Sequence, residues 1–207
     1  MARDGVIPLP VSPRLLPVPP AERDDRVREL LADFVVGPTA HIYETMARHP
    51  EVLARCIPLG RQLRGGRLSL RERELLILRS GWRCRSEYEW AQHSRLARAG
   101  GMSDDELLRI AAGPDDPGWE PHESMLLRAA DELHEQSCVS SATWAALATR
   151  YDEQELIEIV MLCGYYHLIA YFLNSTGVEI EEGTPGFPPG LGGPGQPVPE
   201  RGAGGPI

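Results

Sequence analysis

Glu74 and His93, nineteen positions apart, are the two side chains in this sequence best placed for proton chemistry. Glu74 falls among Leu70, Ile77 and Leu78 at helical spacing, and His93 is followed by Leu96, Ala97 and Gly100 on a similar stripe, so both point toward an apolar side. Two antiparallel helices joined by a short turn bring such positions face to face. A carboxylate that meets an imidazole there orients the ring for general acid or base work. Arg79, Arg83 and Arg85 are the nearest guanidinium groups in sequence, and one of them would hold or steer a substrate carboxylate. Trp82 and Trp90 flank the hairpin, where a ring would either stack on a planar substrate or simply pack. Tyr165, Tyr166 and His167 line a pocket or belong to the core. Glu87 and Glu89 form a solvated face paired with Arg83 and Arg85, or belong to the site.

These residues must be positioned by helices, because apolar positions recur at three and four spacing and strand-like alternation is missing between the tails. The pattern predicts an all-α domain with helices near 22–35, 39–48, 50–64, 70–83, 86–99, 104–112, 121–136, 141–150 and 153–173. Ser69 with Glu72, Ser103 with Glu106, and Asp152 with Glu155 read as capping boxes that start three of them. Gly100-Gly101 ends one helix, and the Pro- and Gly-rich run 113–118 is a loop. The last helix is apolar around most of its girth and reads as the central packing element or a subunit interface. Thirteen of the 19 prolines lie in the two ends of the chain. The division is therefore a Pro-rich arm over 1–21, one helical domain over 22–182, and a flexible Gly/Pro-rich tail over 183–207. The arm interleaves apolar residues with prolines, in a form suited to lying in a groove.

Composition narrows the chemistry. All 21 basic residues are arginine, so a lysine Schiff base, a pyridoxal phosphate anchor and a phosphate-loop lysine are excluded. The net charge of −9 repels a phosphate backbone and argues against nucleic acid. The sequence offers no apparent membrane span and no signal core, which reads as a cytoplasmic protein. Cys56, Cys84, Cys138 and Cys163 form no CxxC pair or zinc-ligand cluster in sequence and read as reduced thiols. No two histidines stand at the i, i+4 spacing of a helical metal site, so neither a metal nor another cofactor is expected.

The string Glu87 to His93, with Ala97, Gly101 and the Ser103 capping box, is followed downstream by Gly164-Tyr165-Tyr166-His167-Leu168, Asn174 and Gly177-Val178-Glu179. This ordered set, over roughly residues 40–180, resembles the carboxymuconolactone decarboxylase family, which includes the alkylhydroperoxidase D-like proteins. The resemblance implies an alkylhydroperoxidase D-like helical bundle that assembles as a homotrimer or hexamer, with a pocket near the subunit contact. The family's peroxidase branch carries a CxxC pair, a histidine four residues after the second thiol, and a glutamate twelve before the first. Carried over by position, the histidine is His93 and the glutamate is Glu74. The two thiol positions fall on Ser86 and Glu89, which cannot exchange disulfides. Cys84 lies two residues before the first of them and is the one thiol left for a single-cysteine peroxidase. The decarboxylase branch works without metal or cofactor, so the resemblance implies a lyase acting on a small carboxylated lactone or keto acid. A binding paralogue that has kept the pocket without the chemistry is the remaining alternative.

Overall fold

Ser69 starts the helix around which the others pack. Its hydroxyl accepts the Glu72 N–H at 3.2 Å while the Glu72 carboxylate accepts the Ser69 N–H at 2.9 Å, which satisfies two orphan amides at once. The next turns carry Leu75, Leu76, Ile77 and Leu78, all without solvent contact, so this helix is buried around its girth. The computed structural model describes residues 7–34 and 40–188. Among them the chain forms α1 (Asp25–Phe34), α2 (His41–Met46), α3 (Pro50–Arg64), α4 (Leu70–Arg83), α5 (Glu87–Ala99), α6 (Asp104–Ala112), α7 (Pro121–Gln136), α8 (Ser141–Leu147) and α9 (Glu153–Thr176), and no strand. The expected all-α bundle is therefore the fold. The central α4 packs against α5, α7 and α9.

The first helix starts at Asp25 rather than near residue 22, after a short 3-10 turn over Pro20–Glu22, and two further helix ends depart from their sequence expectation for identifiable reasons. α8 stops at Leu147 rather than near residue 150, and the chain turns so that Tyr151 comes inward and its hydroxyl donates to Glu72 Oε1 at 2.8 Å. α9 runs past residue 173 to Thr176, where Gly177 adopts φ 71° and its N–H bonds the Leu173 carbonyl. The expected helix start at 39 and the first helix's end at 35 fall outside the described residues, as do 1–6 and 189–207 of the two tails.

The described parts of those tails lie on the bundle. In the arm, Arg14 N–H donates to Thr176 O at 2.7 Å and Val18 N–H to Glu44 O at 3.0 Å. After α9, Phe187 sets its ring 5.1 Å from Trp82 and 5.7 Å from Trp90, so the stretch 183–188 is a packed strap rather than a free tail. Glu181 ties the same segment down, accepting from the Tyr88 hydroxyl at 2.6 Å and the His41 N–H at 2.8 Å, and from the Gln92 amide.

By length and hydropathy α9 would cross a membrane, contrary to the sequence expectation that no segment qualifies; its mean hydropathy reaches 1.7 over its most apolar window. Its inner face is instead the core: Leu156, Ile159, Leu162, Cys163, Tyr166, Ile169 and Leu173 are buried against α3, α4 and α7. The opposite face leaves Ile157, Met161, Leu168 and Tyr171 exposed, at intervals of four, seven and three residues.

Gly60 shows how closely α3 meets α9. A Cβ built there would stand 2.5 Å from Tyr165 Cζ, and the Tyr165 hydroxyl is already held by the Cys56 carbonyl at 3.2 Å. Gly60→Ala is expected to cost about 1–3 kcal/mol through this overpacking, read as a lower urea midpoint. An unchanged midpoint would mean that the two helices separate freely.

Candidate active site

α4 and α5 are joined by Cys84, Arg85 and Ser86. Arg85 takes the left-handed conformation at φ 57°, its N–H bonds Trp82 O at 3.0 Å, and the Ser86 N–H bonds Gly81 O at 2.8 Å. This closure sends α5 back along α4 and places Glu74 opposite His93. Glu74 Oε2 stands 2.8 Å from His93 Nδ1, with both residues buried. A carboxylate accepts, so the ring carries its proton on Nδ1 and leaves Nε2 to a ligand. The ring lies edge-on to Tyr166, centroids 4.9 Å apart.

His93 lines a cavity of about 240 Å³ shared with Arg64, Tyr88, Glu89, Arg95 and Tyr166, and walled by apolar residues including Ile42, Met46, Ile57 and Ile169. Arg64, from the last turn of α3, donates to the Tyr166 hydroxyl at 3.3 Å. Burial pushes the Tyr166 phenol upward, so it remains a hydrogen-bond donor. The pocket thus offers a guanidinium, a phenol, an imidazole and a carboxyl to something small.

Glu89 is the carboxyl. It is buried, and neither of its oxygens has a hydrogen-bond partner among the described residues. Burial holds its pKa well above the usual carboxylate range; the Ser86 hydroxyl lies near enough to soften this but outside hydrogen-bond geometry. The solvated face expected for Glu89 is therefore not observed, and burial favours its protonated, neutral form. Glu87 does lie at the surface, accepting the Phe187 N–H at 3.1 Å.

The linkage sign follows from that raised value. Above about pH 4.5 the unfolded chain gives up the Glu89 proton while the folded chain keeps it, so stability falls as pH rises, by about 1.4 kcal/mol per unit, until the folded carboxyl ionises. Glu89→Gln removes this dependence. Its melting temperature is expected to match the parent near pH 4.5 and to exceed it by a gap that widens toward neutrality. Parallel pH profiles of the two proteins would contradict a buried neutral acid.

Several residues expected at the site lie elsewhere. Arg79 does not reach the pocket: its guanidinium is forked onto Asp131 at 2.7 and 2.8 Å and donates to the Ile110 and Ala111 carbonyls at 2.7 and 2.9 Å, joining α4, α6 and α7. Arg83 pairs with Glu135 at 2.5 Å, and Arg85 reaches the Ile7 carbonyl of the arm. Trp90 is fully buried in the Trp82–Phe187 cluster and packs rather than stacks on a ligand. Ser86 is buried at the start of α5. The cationic role falls to Arg64, which reaches the pocket from α3 outside the hairpin, and to Arg95, which lies two residues beyond His93 on α5 and not beside the turn.

Cys84 and His167 meet at a second place. Cys84 ends α4, His134 comes from α7 and His167 from α9; Cys84 Sγ lies 3.7 Å from His134 Nδ1, which lies 3.0 Å from His167 Nε2. Burial pushes the Cys84 thiol up to about 12, which leaves little thiolate for a peroxidase cycle.

The fold is that of the AhpD-like all-α proteins. Superposition gives TM-score 0.73 with an uncharacterized peroxidase-related protein, an AhpD core, from Ralstonia eutropha JMP134, at 18% identity over 86% of this chain and 95% of that one. A second peroxidase-related protein, from Silicibacter sp. TM1040, gives 0.71 at 14% identity over 86% and 96%. The debrominase Bmp8, in a complex with 2,3,4-tribromopyrrole, gives 0.69 at 13% identity over 83% and 94%. Among curated proteins, none matches the sequence. Residues 50–132 match the carboxymuconolactone decarboxylase family.

Proposed function

We propose that the protein is a cofactor-independent lyase that decarboxylates a small oxygenated organic acid, a β-keto acid or carboxylated lactone, by acid–base chemistry in the Glu74–His93 pocket. The observation that carries this reading is the 2.8 Å Glu74–His93 contact on a cavity that also holds a cation and a neutral carboxyl. Losing carbon dioxide drives an electron pair into the neighbouring carbonyl, so the enolate oxygen needs donors and the carbon needs a proton. Arg64 and the Tyr166 hydroxyl supply donors at neighbouring positions, in a largely apolar enclosure where such donors act strongly. His93, held by Glu74, moves the proton, and Glu89, whose protonated form burial favours, provides an acid.

The partner is a small molecule. The exposed stripe of Ile157, Met161, Leu168 and Tyr171 along α9 favours a homo-oligomer, trimer or hexamer, that would cover it. The free thiols suit a cytoplasmic location, where they stay reduced. The test is carbon dioxide release from carboxymuconolactone and a panel of β-keto acids. Release above the spontaneous rate from at least one of them is expected. No acceleration across the panel, with the protein folded, would overturn the reading.

A further inference from the structure

The pocket leaves Cys84, His134 and His167 unused. We propose that these three side chains form a metal site for a divalent transition ion of the zinc class, with one coordination position left open. A tetrahedral zinc with bonds of about 2.3 Å to sulfur and 2.0–2.1 Å to nitrogen sets its ligands about 3.6 Å (S to N) and 3.3 Å (N to N) apart. The separations here are 3.7 Å for Cys84 Sγ to His134 Nδ1 and 3.0 Å for His134 Nδ1 to His167 Nε2, and all three donor atoms lie within 4.8 Å of one another. The two separations that involve His134 therefore lie within a few tenths of an ångström of those a tetrahedral ion needs.

The surroundings are arranged as such a site requires. His167 donates its Nδ1–H to the Cys163 carbonyl at 2.8 Å, the backbone contact that turns the other nitrogen, Nε2, bare toward a metal. Protons alone satisfy the cluster poorly. A hydrogen on His134 Nδ1 serves His167 Nε2 but denies the Cys84 thiol its acceptor, whereas a hydrogen on His134 Nε2 sets two bare nitrogens against each other at 3.0 Å. A cation uses all three lone pairs and takes the place of the thiol proton. Arg83, the cation next to Cys84 in the chain, is already paired with Glu135 at 2.5 Å and Asp131 at 3.6 Å. Cys84 and His134 also border a cavity of about 530 Å³ beneath the arm, lined by Arg14, Arg85 and Asn174, through which an ion and a fourth, anionic or water ligand would enter.

Sequence reasoning looked for two histidines on one helix, whereas these ligands come from the ends and faces of three. Titration with cobalt(II) chloride is the test. One equivalent is expected to give the visible bands of a tetrahedral ion and a near-ultraviolet thiolate-to-cobalt band, displaced by one equivalent of zinc. Cys84→Ser is expected to abolish the thiolate band, and His167→Gln to weaken binding at least tenfold, with circular dichroism confirming the helical fold of each. Binding without a thiolate band, a band that persists in Cys84→Ser, or no binding by the folded parent protein would each overturn the proposal. Because Glu74 and His93 are not ligands, the outcome is independent of whether the pocket is a lyase.

Discussion

His93→Ala is expected to lower kcat on the accepted acid by about 10²–10⁴-fold, the range for loss of a positioned general acid or base. Glu74→Gln should lower it in the same direction by a smaller factor, since the amide keeps the contact while removing the charge that orients and supports a protonated ring. The loss belongs in kcat more than in KM, because the imidazole is assigned to the proton transfer and Arg64 and Tyr166 to holding the substrate oxygen. Steady-state kinetics of the folded variants check this. Unchanged turnover in His93→Ala would leave the pair a structural contact inside the bundle.

Arg79→Ala should be the most destabilising single change described for this protein, at about 3–5 kcal/mol, because it strands a half-buried carboxylate and two buried carbonyls at once. Asp131 would lose its forked partner, and the ends of α6 would lose the group that ties them to α4. Arg79→Lys should not rescue the loss, since an ammonium cannot reproduce the planar fork. Urea denaturation measures both. A loss below 1 kcal/mol would return Arg79 to the candidates for substrate binding.

That arginine marks where the sequence stops being informative. Capping boxes, Gly-Gly stops and apolar periodicity act within one turn of helix, so Ser69, Ser103 and Asp152 announce their helices and the observed starts agree. The Glu74–His93 contact was legible for a related reason: both residues sit on consecutive helices across a three-residue turn, where spacing nearly fixes proximity. Arg79, Arg83 and Arg85 are near the pair only in sequence, and there the local signal fails. Rotation about the helix axis turns Arg79 toward α7 and leaves the pocket to Arg64, which reaches it from α3. The neutral Glu89 was hidden similarly, because a charged letter at the start of a helix looks solvated until the neighbouring helices are in place. The Cys84–His134–His167 cluster draws one residue from each of three helices, and no spacing along the chain encodes it.

Stereochemistry gives the most direct test that a chiral pocket, and not solvent, delivers the proton. An α-methyl β-keto acid accepted as substrate is decarboxylated in D2O, and the ketone is analysed by NMR with a chiral reagent before solvent exchange. Delivery from His93 or Glu89 predicts deuterium on one face of the new carbon–hydrogen centre. A racemic product, indistinguishable from the uncatalysed reaction, would contradict the assignment of proton transfer to this site.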